Sequence, residues 1–326
     1  MSWDSASVSR ALRLGRKHTA THRHRSGNSS SSFLIDNCIL CTGENTAAAT
    51  PAYVARCVSA AAVIIITVWG NLLVISSVCH FKQLHTPTNI LVLSLAVADI
   101  CVGVFVMPLQ FMGFIESCWI FGSTMCAFYN FITFHLTSTS VHNVALIAVD
   151  RYMALSNPFL YSKRVTVNLC IVVASLNWLF SFGYNFALLY DNGFFTTSLT
   201  LCPSECFIIV NDIWAFVDLV VVFVLPCSVM FVLYLKIFAI ARKHANAIRA
   251  ANTQGNPNNR HTHNVPKRSE RKAAKVLGIL VSVFLLCLVP YYICSFMADS
   301  IPSDIFNDVM NYMSALLYLN SMFNPM

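Results

Sequence analysis

Apolar residues in this chain run in long unbroken stretches instead of alternating with polar ones, and short polar gaps divide the stretches. Seven segments can be drawn, near residues 53–80, 88–115, 123–153, 165–190, 209–242, 270–298 and 303–326. A bilayer core takes about 20 helical residues to cross, and each segment reaches that length. A membrane β-barrel would show alternating segments of about ten residues instead. The pattern predicts an all-α membrane protein, a seven-transmembrane helix bundle. Pro108, Pro226 and Pro290 fall inside segments, which is tolerated where neighbouring groups satisfy the freed carbonyls. Residues 1–52 are expected to form a disordered N-terminal tail and 53–326 the helical domain, with 244–268 a short flexible linker. No internal repeat is visible, which counts against a transporter built from paired halves.

Composition narrows the class. Hydrophobic residues make up 56% of the 326 and charged residues only 11%, against about 25% charged in soluble domains. A soluble enzyme, a disordered tail protein and a fibrous repeat are excluded. The net charge of +7 matters less than its placement. One set of gaps holds Lys82, then Arg151, Lys163 and Arg164, then the basic run from Arg242 to Lys275. The opposite gaps hold Glu116, Asp191, Glu205, Asp212, Asp299, Asp304 and Asp308, with no Lys or Arg. Positive charge stays in the cytoplasm, so the N-terminus is expected outside. The basic stretch ending at Arg25 lies beyond the ~20-residue window that governs topology, and it lacks the apolar core of a signal peptide. Asn28-Ser29-Ser30 is a glycosylation sequon, which suits an outside tail. Nothing resembles a basic, aromatic-studded surface for nucleic acid. Neither a nucleophile–base pair nor a phosphate-cradling loop appears, so no enzyme is expected.

Two carboxylates carry the candidate chemistry. Asp99 and Asp218 lie well inside spans, and no Lys or Arg lies deep in any span to meet them. An ionised group at that depth needs a partner, which must then come from outside the chain: an ion, a proton or a cationic ligand. Asp218 stands eight residues before Pro226, about 12 Å up the helix. Ligand recognition and a water-facing position near the helix end are both open for it. For Asp99 the alternatives are a bound cation and a protonated carboxyl hydrogen-bonded to nearby amides and hydroxyls.

Short motifs fall one per span and in order: Gly70-Asn71, Leu95-Ala96-Val97-Ala98-Asp99, Asp150-Arg151-Tyr152, Trp178, Pro226, Phe284 and Cys287 before Pro290, and Asn324-Pro325. Together they resemble rhodopsin-like G-protein-coupled receptors over roughly 53–326. HFKQLHTPTNILVLSLAVAD at 80–99, Trp119-x-Phe121-Gly122-x3-Cys126, Tyr234-x-Lys236-Ile237-Phe238, Cys202-x3-Cys206 and Asn320-Ser321-x2-Asn324-Pro325 look like the trace amine-associated receptors in particular. Members of that family continue beyond Asn-Pro, so the chain is expected to be truncated there.

The resemblance implies a plasma-membrane receptor that recognises a small extracellular amine, has an olfactory role, and activates a heterotrimeric G-protein through the stimulatory cyclic AMP route. The alternative is a rhodopsin-like receptor for a non-amine ligand, with a transporter less favoured. The amine-binding acid of most aminergic receptors stands seven residues after the conserved Cys, where this chain has Thr133. The chain is closer to the fish branch, in which that acid moves to the Asp218 position. Tyr291, Tyr292 and Tyr318 would complete the pocket. Asn71, Ser140, Asn320, Ser321 and Asn324 would join Asp99 around an allosteric sodium ion; no other metal or cofactor is implied. Asp150, Arg151 and Tyr152 would serve G-protein coupling, with Arg151 paired to Asp150 at rest. Cys126 and Cys206 would form a disulfide, and Cys202 a second with Cys38 or Cys41. Leu288 stands where the family usually has Trp, leaving Phe284 to carry its motion.

Overall fold

The computed structural model describes residues 50–116, 119–194, 206, 210–253, 268–297 and 303–324. Among them seven long helices follow in chain order: α1 (Pro51–His80), α2 (Pro87–Glu116), α3 (Gly122–Ser156), α4 (Val167–Asp191), α5 (212–253), α6 (Arg268–Phe296) and α7 (Ser303–Phe323). Their starts are written in side chains that accept hydrogen bonds from first-turn amides. Thr50, Thr86, Thr166 and Asn211 cap α1, α2, α4 and α5, and Pro51 and Pro87 occupy first-turn positions where no N–H is needed.

One expectation about boundaries is corrected. The stretch read as a flexible linker is helical at both ends, since α5 continues to Thr253 and α6 begins at Arg268. Residues 239–251 hold six alanines, and that helix propensity carries α5 past the apolar run. After α3 the chain also forms a short helix, Pro158–Arg164, capped by Asn157. Its local signal is an N-cap followed by Pro, too short for a hydrophobicity pattern to register.

The bundle is inside out relative to a soluble domain. Leu73, Leu179, Phe216 and Leu286 point outward, while Asp99, Asn143, Ser181 and Asn185 are fully buried. Helix α3 sits at the centre, in contact with α2, α4, α5 and α6, and α7 closes the ring against α1. Because lipid offers no hydrophobic drive between helices, polar groups join them. Asn177 Nδ2 donates to Thr139 O at 3.1 Å, Ser94 Oγ to Asn143 Oδ1 at 3.1 Å and Trp178 Nε1 to Ser94 Oγ at 3.0 Å, linking α2, α3 and α4. A second cluster joins His135 and Ser138 of α3 to Ser181 and Asn185 of α4. Asn71 Nδ2 donates to Ser321 O at 2.9 Å, tying α1 to α7.

Prolines shape two of the helices. Ahead of Pro108, α2 makes a π turn over Val102–Val106, with Met107 N donating to Val102 O. Ahead of Pro226, α5 repeats the device over Leu219–Val224, with Leu225 N donating to Val220 O. Each extra residue turns the outer part of its helix relative to the inner part. The α2 turn also presents Gly103 to α1, where an added Cβ would lie 3.1 Å from Val68 Cγ2 and 3.2 Å from Thr67 Cγ2.

Gly103→Val should therefore wedge α1 from α2 and destabilise the fold by about 1–3 kcal/mol. Gly113→Ala, with nothing within 4 Å of its added Cβ, serves as the control. Thermal unfolding of the detergent-purified protein should show a lower Tm for the first and none for the second.

Candidate ligand and ion sites

Asp218 is the last residue before the α5 π turn, and the turn sets which way that rung of the helix faces. Tyr184 Oη of α4 donates to Asp218 Oδ1 at 3.2 Å, and Tyr292 of α6 is the second hydroxyl acting on this carboxylate. Phe223 stacks on Tyr292 at 4.5 Å between ring centroids, and Tyr291 meets Tyr292 edge-on at 5.5 Å. Trp214 packs edge-on against Tyr184 at 6.1 Å, held by a 2.6 Å bond from its Nε1 to Asp191 Oδ2. Among the described residues no basic side chain pairs with Asp218. An acid held by neutral donors and walled by aromatic rings is suited to an organic cation.

The structure brings Asp218 together with Tyr291 and Tyr292. Thr133 and Tyr318 belong to a neighbouring group with Tyr129, whose hydroxyl donates to Gln110 Oε1. That group holds no carboxylate, and Thr133 Oγ1 is buried beside the Tyr129 and Tyr318 phenols. Tyr291 stands between the two, close enough to interact with both Tyr318 and Asp218. Sequence reasoning did not single out Tyr184, Tyr129, Gln110 or Phe223. The available signal was a phenol or amide inside an apolar run, which does not say which neighbour it faces.

Deeper in the bundle, Asp99 is fully buried, and Asn324 Nδ2 donates to its Oδ2 at 2.7 Å. Ser321 is the second group acting on this carboxylate, while Asp99 Oδ1, Ser140 Oγ and Asn320 Oδ1 make no hydrogen bond of ordinary geometry. Ser140, Asn320 and Ser321 line a cavity of ≈ 20 Å³ with Leu288 and Phe284 along its wall. That space suits one water or one small ion. Unpaired carboxylate, hydroxyl and amide oxygens are the donors a hard cation takes. Asn71, expected in the same set, spends its amide nitrogen on Thr67 O and Ser321 O.

At the other end of α3, Arg151 Nη2 lies 2.6 Å from Asp150 Oδ2, the resting pair expected from the motif. Thr88 Oγ1 of α2 donates to the same Oδ2 at 2.7 Å, and Tyr161 Oη of the short helix donates to Oδ1 at 2.7 Å. Burial raises the Tyr161 phenol above its usual range, which keeps it a donor. Tyr152 faces α5, with Lys236 Nζ 5.6 Å from its ring centroid. Cys126 and Cys206 form the expected disulfide, and Asn130 Nδ2 reaches Cys206 Sγ at 3.2 Å. Asn28, Cys38, Cys41 and Cys202 lie outside the described residues.

Residues 70–326 match the family described as 7 transmembrane receptor (rhodopsin family). The chain is 38% identical to trace amine-associated receptor 13c of Danio rerio over 265 residues, covering 80% of this chain and 77% of that one. It is 38% identical to trace amine-associated receptor 7f of Mus musculus over 269 residues (80% and 74% covered). Against trace amine-associated receptor 2 of Homo sapiens it is 37% identical over 272 residues (81% and 74% covered).

The donors around Asp150 make a direct prediction. Thr88→Val and Tyr161→Phe each remove one hydrogen bond from a buried carboxylate and should each cost about 1–3 kcal/mol. Both should lower the Tm of the purified protein by a few degrees, and an unchanged Tm in both would mean that Arg151 alone holds Asp150.

Proposed function

We propose, on the premise that the chain belongs to the rhodopsin family of seven-transmembrane receptors and within it to the trace amine-associated receptors, that its extracellular ligand is a small amine bound at Asp218. As a receptor of that family it is not an enzyme but a multi-pass plasma-membrane protein with a small-molecule ligand and a G-protein partner. The observation that carries the amine reading is the Asp218 carboxylate, set among Tyr184, Tyr292 and Phe223 with no basic side chain of the described residues beside it. A ligand ammonium supplies the missing charge, and the rings supply its apolar walls. Thr133, at the place of the usual aminergic acid, offers a hydroxyl in place of a second charge, and Tyr318 lies beside it. A monoamine with its ammonium toward α5 is the simplest ligand for this arrangement.

The remaining parts of the reading follow the family's logic. The N-terminus faces outward, carrying sugar at Asn28, and the basic loops face the cytoplasm. Arg151, released from Asp150, contacts the G-protein together with Tyr152, and the output is stimulatory, raising cyclic AMP in an olfactory cell. Asp99, with Ser140, Asn320, Ser321 and Asn324, holds a sodium ion that supplies positive charge to the buried carboxylate. The unpartnered oxygens of Asp99, Ser140 and Asn320 support that ion. Asn71 contributes by fixing the Ser321 backbone.

Cyclic AMP output should be measured in cells exposed to 2-phenylethylamine, cyclohexylamine and 1,5-diaminopentane. Asp218→Asn keeps shape and removes charge, and the loss of a desolvated ion pair should raise EC50 by about 100-fold or more. A full amine response in Asp218→Asn at normal surface expression would refute the assignment. Replacing external sodium with N-methylglucamine should shift amine EC50 in the wild type and not in Asp99→Asn. Equal shifts in both would exclude Asp99 as the sodium ligand.

A further inference from the structure

The α5 π turn leaves one backbone acceptor without a partner on its own helix. Leu225 N donates to Val220 O and so is withdrawn from Val221 O, its ordinary partner in an α-helix. The next residue, which would serve Val221 O in the π register, is Pro226, and proline has no N–H. A carbonyl bare of hydrogen bonds is not tolerated at membrane depth, where no water replaces the lost donor. The donor comes from another helix: His142 Nε2 of α3 lies 3.2 Å from Val221 O. A carbonyl only accepts, so Nε2 carries the hydrogen. The Ser138 carbonyl, one turn back on α3, is the second backbone acceptor beside the ring, and His142 Nδ1 makes no hydrogen bond of ordinary geometry.

A second route leads from the same ring to the same place. His142 packs edge-on against Phe180 at 5.9 Å, and Phe180 stacks on Tyr184 at 6.0 Å. Tyr184 is the hydroxyl that donates to Asp218 Oδ1, and Asp218 immediately precedes the π turn that Val221 belongs to. His142 thus closes a loop that runs through backbone on one side and through stacked rings on the other, with the carboxylate at its far end.

We infer that His142 is a positioning residue for the ligand site: it staples the α5 π turn through Val221 O and, through Phe180 and Tyr184, fixes the direction in which Asp218 faces. The inference rests on the reading of Asp218 as the partner of the ligand ammonium. His142 touches no ligand itself, so its loss alters where the carboxylate points and leaves the charge in place.

Two variants separate the staple from simple packing. His142→Phe keeps a ring against Phe180 and removes the donor, whereas His142→Gln keeps a donor for Val221 O. Using whichever of the three amines has the lowest wild-type EC50, His142→Phe should raise EC50 about tenfold, the effect of one buried hydrogen bond. His142→Gln should stay within about threefold of wild type. Amide hydrogen exchange over residues 216–226 of the purified receptor, a measurement that needs neither ligand nor surface delivery, should quicken in His142→Phe and not in His142→Gln. Equal behaviour of the two variants in both measurements would overturn the staple, as would wild-type EC50 and exchange in His142→Phe. Failure of the amine reading is seen separately: Asp218→Asn would keep the full response. The exchange difference would then hold the staple to the backbone alone and overturn its role in aiming a ligand partner.

Discussion

Every polar group in this bundle must find its partner inside the protein, because the surrounding hydrocarbon offers none. Most of the architecture follows from that constraint. Helix α3 carries many of the polar side chains and sits at the centre, where α2, α4, α5 and α6 can all answer them. Asn177, Ser94 and Trp178 converge near Asn143, and Ser181 and Asn185 converge on His135 and Ser138. In water each of these bonds would compete with solvent and contribute little; in lipid they fix which helix faces which. Proline makes the same demand of the backbone. Both Pro108 and Pro226 are preceded by a π turn, and the second turn draws a donor from a neighbouring helix.

The groups that escape this rule are the informative ones. Ser140 Oγ and Asn320 Oδ1 are buried without partners and their residues line one small cavity, and Asp99 Oδ1 is unpartnered as well. Asp218 has neutral donors and no basic side chain among the described residues, a deficit of charge and not of hydrogen bonds. The two carboxylates therefore differ in kind. The inner one is met by the Asn324 amide and by Ser321, the outer one by phenols and aromatic faces. By contrast, Asp150 is answered within the chain by Arg151, Thr88 and Tyr161. Its hydrogen-bonding and charge needs are met within the chain.

Much of this was legible in the sequence. Long apolar runs give the helices because nothing else spans a bilayer, and the scarcity of charge made Asp99 and Asp218 conspicuous. The Asp-Arg-Tyr motif announced its own ion pair, since the two residues are adjacent. Legibility failed where the partner is distant in the chain. Tyr184 lies 34 residues from Asp218 and Thr88 lies 62 from Asp150, and neither carries a mark of its destination. The C-terminal end of α5 failed for a different reason. Hydrophobicity tracks the lipid boundary, while the alanine-rich continuation is helical by backbone propensity and runs past it.

By itself, the sequence determined the number of spans, the residues that could not rest in lipid unaided, and the three prolines that would each leave a span short of one N–H. These follow from local chemistry, because the cost of a charge or a missing N–H at membrane depth depends on that residue alone. Only the tertiary structure decided who meets those needs. Helix rotation and packing set the distances between side chains on different helices, and a one-residue π turn changes which of them face each other. His142 shows the division plainly. In sequence it is a lone histidine in an apolar helix, and its meaning comes from lying 3.2 Å from a carbonyl that Pro226 cannot serve.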